Sequence, residues 1–595
     1  MTPLFIDSLD WTAEQLLPFL SGNAALFPEL EAVRANPAVL LTTPQAQRVL
    51  AETQTWMQDL VNIPQTKYSG YRRFINDGDR IEYQTPYFEK RQKLNSAALR
   101  MWLRIEGGLA LKPVVEDYLW NICEETNWVV PAHERLAIDL FSSETGYMLA
   151  TLLDLLGDDI HWEVRQRVLC EINRRIFEPF LSNHTSYNWY NGHHNWNGVC
   201  ASSVAATFLL AEPDVRRAAQ GVALALNSLQ TFEKFAFESD GSSTEGVSYW
   251  RYGLSHFIEL SEMLRARSGG QIDFLSAPRF QAIAAFPAKV QLSGAYFANF
   301  SDCDEQVQFH FGLLQRMYER TGEDSLWNLM AKPAEPTSGR WLMLMLRDML
   351  WWNGDQPEVP QITDAVLPVS GVARLVGETA DGQPLVFAIK AGHNQEHHNQ
   401  NDVGSFLVHV AGESLLVDPG RGLYNRFYFG PNRYQNIFAN SYGHSVPRIA
   451  GQLQAFGPQY QGRLLAADIG QADKSVAIEF ARAYPVEGLK TLTRSVRFTS
   501  PDTLVLQDEF AFEGQALEVE EALATYANVQ VNGNCAQIDG QAYSLYLTIE
   551  EPTGASFTVE SLDEACRANA KAGVLKRLTF KPQGKAVVRM QVRHK

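Results

Sequence analysis

Between residues 163 and 178, apolar side chains recur every three or four positions, at Val164, Val168, Leu169, Ile172 and Ile176, with charged residues between them. That spacing lines one face of a 3.6-residue helix, and Pro179 is expected to end it. The same periodicity returns at 97–111, 136–156, 199–210, 215–235 and 254–266, with short loops rich in Gly, Pro, Asn and Asp between. Helices joined by short connections, without a strict self-repeat, predict a ring of paired helices, an α/α toroid. After Trp352-Asn353-Gly354 and a Pro-containing linker ending near Pro368, the pattern changes. Short β-rich runs at 372–376, 385–389, 406–410, 415–417, 476–480, 495–498, 504–507, 543–549 and 586–592 are divided by Gly and Asp turns. This is the profile of a large antiparallel sandwich. The predicted fold class is α+β multidomain: an N-terminal α/α toroid over 1–360 and a C-terminal antiparallel β-sandwich over 361–595.

Composition supports two well-packed units: 595 residues are 45% hydrophobic and 20% charged, with 13 Trp, 21 Tyr and 32 Phe. The net charge of −17 argues against a nucleic-acid partner. A polyanionic ligand would need a local basic groove, which favours a short or lightly charged one. Six cysteines without a CxxC pair indicate neither a zinc ribbon nor a disulfide framework. They read as mostly reduced core residues. The N-terminus lacks a basic segment followed by a long apolar core, and no run approaches a membrane span. The expectation is a cytoplasmic protein with no membrane partner, periplasmic if a leader has been removed; a homo-oligomer stays open.

Three polar clusters stand out. The first is Tyr187-Asn188-Trp189-Tyr190-Asn191-Gly192-His193-His194-Asn195-Trp196-Asn197, ahead of a small-residue helix at 198–206. It reads either as a capped helix start with aromatic packing or as a sugar subsite, with aromatic faces for rings and amides for hydroxyls or a carboxylate. The second runs from Glu238 through Asp240, Glu245, Tyr249, Trp250 and Arg251 to a helix expected near Tyr252. Asp240 and Glu245 are equally readable as turn and capping carboxylates. The third is His393-Asn394-Gln395-Glu396-His397-His398-Asn399-Gln400-Asn401-Asp402, leading into a strand. Its three imidazoles exceed what a solvated turn needs, but they lack the helical spacing of a zincin pair.

In order and spacing these segments resemble the heparinase II/III-type polysaccharide lyases, which join an α/α toroid to a β-sandwich. The resemblance rests on His194-Asn195-Trp196-Asn197-Gly198-Val199-Cys200, Glu245-Gly246-Val247-Ser248-Tyr249-Trp250 and His398-Asn399-Gln400-Asn401-Asp402-Val403-Gly404-Ser405-Phe406. Weaker echoes lie at Tyr71-Arg72-Arg73-Phe74, Pro368-Val369-Ser370-Gly371 and Ser495-Val496-Arg497-Phe498. The resemblance implies cleavage of uronate-containing oligo- or polysaccharides by β-elimination. It implies that Asn195 neutralises the uronate carboxylate, that Tyr249 is the acid and a candidate base, and that His398, brought across from the sandwich, is the other proton-transfer group. Trp189, Tyr190, His193, His194, Trp196, Asn197, Glu245, Trp250 and Arg251 are the expected substrate-binding residues. A tyrosine, with an ordinary pKa of about 10, donates a proton to a leaving oxygen unaided but needs positive neighbours to act as base.

No cofactor is required by that chemistry. Many relatives read His-Asn-His-Asn-Asp, and in some the second His joins a later Asp and His around a structural divalent metal such as zinc. Here Gln400 stands at that position, leaving Asp418 and His444 as candidate ligands. An amide oxygen is a poor zinc ligand, so the metal is in doubt. Two rivals remain: a glycoside hydrolase of acidic oligosaccharides using Asp240 and Glu245, and a non-catalytic glycan-binding relative. Heparan-, alginate- and hyaluronan-type chains all satisfy the chemistry.

Overall fold

The computed structural model describes residues 3–105, 107–134, 136–330, 340–355, 361–470 and 473–595. The chain forms two compact units. The first comprises Met1–Phe237, Tyr249–Ala284 and Gln308–Glu358; the second comprises Glu238–Ser248, Ala285–Val307 and Val359–Lys595. Two stretches of the N-terminal half therefore belong with the sheets, which a single cut near residue 360 does not convey. Part of the expected linker, 356–360, lies outside the described residues.

The first unit is helical. Helices α1 (Ile81–Trp102), α2 (Leu140–Leu156) and α3 (Asn195–Ala211) are buried on nearly every side over much of their length. By contrast α4 (Val215–Phe235) alternates a buried face with charged positions. All-round burial marks inner helices and amphipathicity outer ones, the two layers of an α/α toroid. Close packing relies on small residues: a Cβ on Gly198 would lie 2.7 Å from the Phe232 ring, and one on Gly221 2.4 Å from Phe208. Helix α5 (Val247–Arg267) crosses the division between the units after Ser248.

Three helix expectations shift. The helix foreseen at 97–111 lies earlier, as α1, and stops at Trp102, with a 3-10 turn at Gly108–Leu111. Pro179 does not end its helix: a π-helical turn over Asn173–Phe177 opens the backbone, and Glu178–Asn183 resumes with Pro179 in its first turn, where no N–H is needed. Finally, α5 starts at Val247 rather than near Tyr252, so Tyr249 is helical.

The second unit holds a five-stranded sheet, Ala365–Leu367, Val372–Glu378, Pro384–Lys390, Phe406–Val410 and Glu413–Leu416, paired in that order. A nine-stranded antiparallel sheet includes Gly457–Asp468, Ser475–Glu479, Leu489–Ser500, Thr503–Phe512 and Lys585–His594, and ends on the short strand Gly392–Asn394. Every strand-like run read from the sequence overlaps a strand. Leu375, Phe387 and Phe406 of one sheet and Val496, Leu506 and Val588 of the other share one apolar core, which makes the unit a sandwich. Within it Arg494 is fully buried, paired with Asp508 at 2.5 Å, and donates at 2.7 Å to the carbonyls of Gly404 and Ser445. It thereby fixes two loops to the sheet.

Cys123, Cys200, Cys303 and Cys566 are buried, while Cys170 and Cys535 are exposed; all six are free thiols. No helix among the described residues is long and apolar enough to cross a membrane.

Candidate active site

In the helical unit, His194 is the N-cap of α3, its Nδ1 accepting the Trp196 N–H at 3.3 Å, and Asn195 is the first helical residue. Asn195 is buried and abuts α5: a Cβ on Gly253 would sit 3.1 Å from the Asn195 Cα. Tyr249, half-buried, lies four residues before Gly253 and so on the same face of α5. The α3–α5 seam thus brings Asn195 and the helix face bearing Tyr249 together. Nearby on α5, Tyr252 donates to Glu144 at 2.7 Å, and Arg340 and Trp341 donate to the same carboxylate at 2.5 and 3.0 Å.

Several expected sugar-binding residues are instead structural. Trp189 is fully buried, stacked between Tyr187 and Phe180, with its indole N–H on the Ile138 carbonyl. Trp250 is buried with its indole N–H on the Ile283 carbonyl, and the Tyr190 hydroxyl donates to the Leu224 carbonyl. Burial pushes the Tyr190 phenol up to about 12. Asn197 donates to the carbonyls of Tyr190, Gly192 and Ser228, bracing the turn ahead of α3. These groups are committed to the core because their polar atoms are met by backbone rather than water. Trp196 is half-buried edge-on to His133, and Arg251 is half-buried and donates to the Gln308 carbonyl. His193 is exposed and stacked on Phe235.

In the sheet unit, the third cluster closes around an acid the sequence reading passed over. Asp302 is fully buried and accepts from five side chains: His398 Nδ1 at 3.3 Å, Tyr424 at 3.0 Å, Arg433 at 2.8 Å, Gln400 at 3.0 Å and Tyr428 at 2.7 Å. Burial alone would raise its pKa, but the hydrogen bond from His398 and the Arg433 charge outweigh this and hold the carboxyl well below the usual range. His398 adopts φ +57°, left-handed backbone that a non-glycine residue keeps only when its surroundings enforce it. Its Nε2 lies 3.7 Å from the buried Glu245 carboxylate. Glu245 is placed by Gly246, at φ +85°, where a Cβ would be 2.3 Å from the Cys303 sulfur. Lys390 binds Glu396 and Asp402 at 2.8 Å each and Ser301 at 3.2 Å, joining the His398 loop to the segment carrying Asp302. His393 accepts the Gln395 N–H on Nδ1 at 3.2 Å. Asp240 accepts from the Val369 N–H, a turn-anchoring role.

The candidate metal ligands Asp418 and His444 lie side by side. His444 Nδ1 lies 3.0 Å from Asp418 and the pair is buried, while the Gln400 amide nitrogen is spent on Asp302. His444 Nε2 and Gln400 Oε1 are buried without a hydrogen-bond partner, marking polar spots, but an imidazole, a carboxylate and an amide do not make a zinc set. Among the described residues no three His, Cys, Asp or Glu are grouped to hold a metal.

Asp302, Tyr424, Tyr428 and Arg433 were missed by the sequence reading. The run Arg421-Gly422-Leu423-Tyr424-Asn425-Arg426-Phe427-Tyr428-Phe429, as dense in aromatic and basic residues as the Asn-Trp segment, was the available signal.

Residues 361–585 match the model of the "Heparinase II/III-like, C-terminal" family. Over these residues, less than half of the chain, the sequence is similar to that C-terminal domain. The matched stretch contains His398, Gln400, Asp418, Tyr424 and His444. No curated protein sequence matches the chain. Among solved structures, a heparinase III is 15% identical with a TM-score of 0.66, the alignment covering 98% of this chain and 89% of that one. The heparan sulfate lyase HepC from Pedobacter heparinus is 14% identical, with a TM-score of 0.59 and coverage of 98% and 88%. A chondroitin AC lyase from Streptomyces coelicolor A3 is 12% identical, with a TM-score of 0.50 and coverage of 94% and 82%. These likenesses establish a shared fold, a helical toroid followed by the heparinase II/III-like domain.

Proposed function

We propose that this chain is a lyase that cleaves uronate-containing oligo- or polysaccharides by β-elimination. The observation that carries the reading is the buried, ionised Asp302 bound to His398, which supplies an oriented imidazole on the residue singled out by the family motif. In this reading the Asn195 amide hydrogen-bonds the uronate carboxylate and stabilises the enolate-like charge formed when the α-proton leaves. His398 takes the C5 proton. The C5–H electron pair becomes the C4–C5 double bond, the C4–O bond breaks, and the Tyr249 hydroxyl protonates the departing oxygen. Solvent then returns a proton to Tyr249 and removes one from His398. Support comes from the matched domain and from a fold shared with structures described as heparinase III, heparan sulfate lyase and chondroitin AC lyase.

The test is a panel of uronate oligosaccharides followed by ultraviolet absorbance, since elimination leaves a double bond conjugated to the carboxylate. Absorbance should grow with wild type and be lost with Tyr249→Phe and His398→Ala, with binding largely retained. Reducing ends formed without absorbance would replace the lyase by a hydrolase; binding without turnover would replace it by a glycan-binding protein.

A further inference from the structure

We infer that Asp302 is the positioning residue of His398: it holds the ring with its proton on Nδ1 and so leaves Nε2 as the atom that exchanges a proton with substrate. The kinetic arm of this inference rests on the lyase reading; the structural arm does not. An ionised carboxylate only accepts hydrogen bonds, so the Nδ1 facing it donates, and a neutral imidazole then carries its lone pair on Nε2. Asp302 has no freedom to reverse this. Five side-chain donors occupy its two oxygens, about as many as a carboxylate's lone pairs can serve. The two residues are joined a second time, the Asp302 N–H donating to the His398 carbonyl at 3.1 Å, so ring and backbone are fixed to one acid. The Tyr424 ring lies nearly parallel to the imidazole, with centroids 6.2 Å apart, and its hydroxyl is 3.2 Å from Nδ1. Gln400 completes the arrangement: its amide donates to Asp302 Oδ1 at 3.0 Å and helps hold the carboxylate in place.

The experiment uses the full chain labelled with ¹⁵N-histidine, in which His398 is assigned among 13 histidines by difference from His398→Gln. Wild type should show a protonated Nδ1 and a bare Nε2. Asp302→Asn, whose amide can donate toward Nδ1, should move the proton to Nε2 and lower kcat by about 10²- to 10⁴-fold with KM nearly unchanged, the penalty of a wrong tautomer. Tyr428→Phe, which removes a donor to the other Asp302 oxygen, should keep the wild-type tautomer. Should Asp302→Asn fail to fold, Asp302→Asn/Arg433→Met restores the charge balance, and the wild-type spectrum remains decisive by itself. A wild-type proton on Nε2, or a tautomer unchanged in Asp302→Asn, overturns the inference. Wild type that cleaves no uronate glycan, yet shows the Nδ1–H ring lost on substitution, overturns the lyase reading and leaves Asp302 as assigned.

Discussion

Replacing Lys390 by methionine keeps the length of the side chain and removes its charge. The ammonium is almost wholly buried between Asp402, Glu396 and the Ser301 hydroxyl, at 2.8, 2.8 and 3.2 Å. Asp402 is fully buried too, and without Lys390 the Ser301 N–H at 3.2 Å would be its one remaining donor from that side of the cluster. Glu396 is partly exposed and can turn to water, so most of the penalty falls on Asp402. Removing one partner of a buried ion pair costs about 3–5 kcal/mol. For a domain of this size that corresponds to a melting shift of roughly 6–20 °C. The pH dependence has a definite sign. Burial pulls the Lys390 ammonium down, but Asp402 and then Glu396 outweigh it and raise its folded pKa. A raised folded pKa contributes stability that is complete below the unfolded value, about 10.4, and is lost as pH climbs through the folded one. The difference between wild type and Lys390→Met should therefore be flat up to about pH 9 and narrow at higher pH, as the wild-type ammonium loses its proton. Calorimetry of both proteins and of Lys390→Met/Asp402→Asn measures this. A shift under about 3 °C in the single variant, or a double variant no more stable than the single, would refute the reasoning.

Other consequences follow from the placement of individual side chains. Trp189→Ala should cost about 3–5 kcal/mol in a thermal melt, as core aromatics do, while Trp189→Phe should leave the KM of a cleaved glycan within about twofold; a large KM change with unchanged stability would restore Trp189 to the sugar site. Gly246→Ala should lower the melting temperature and abolish turnover, because its Cβ collides with Cys303 beside Glu245; full activity would show that Glu245 need not be held there. Exhaustive dialysis against a chelator should leave the melting temperature unchanged, since Asp418 pairs with His444 and Gln400 with Asp302; one metal per chain by elemental analysis, with a drop on chelation, would contradict that pairing.

Much of the architecture was legible because it depends on local periodicity. The β-rich runs divided by Gly and Asp turns and the three-and-four spacing of the helices are properties of contiguous sequence, and the structure follows both. What escaped is non-local. Asp302 reads as an ordinary loop acid, and its partner His398 is 96 positions away, so nothing along the chain announces their meeting. Trp189 looked available to a ligand because amides surround it, yet amides also brace a helix start, and its indole N–H, like that of Trp250, is taken by a distant carbonyl. The start of α5 was misplaced because the polar run Ser242-Ser243-Thr244-Glu245 ahead of it reads as one loop continuing to Arg251, whereas the helix begins on Val247 directly after the left-handed Gly246. The π-helical turn before Glu178 shows a proline accommodated by a widened backbone rather than by a break.

Elimination and hydrolysis differ by one water molecule, so the masses of both fragments from a defined uronate oligosaccharide, with the reaction run in ¹⁸O-water, separate the two. Elimination gives fragments whose masses sum to that of the substrate, no ¹⁸O in the newly formed reducing end beyond slow exchange, and neither fragment with Tyr249→Phe. Fragments that together exceed the substrate by one water, with ¹⁸O fixed at the cleaved bond, would contradict it.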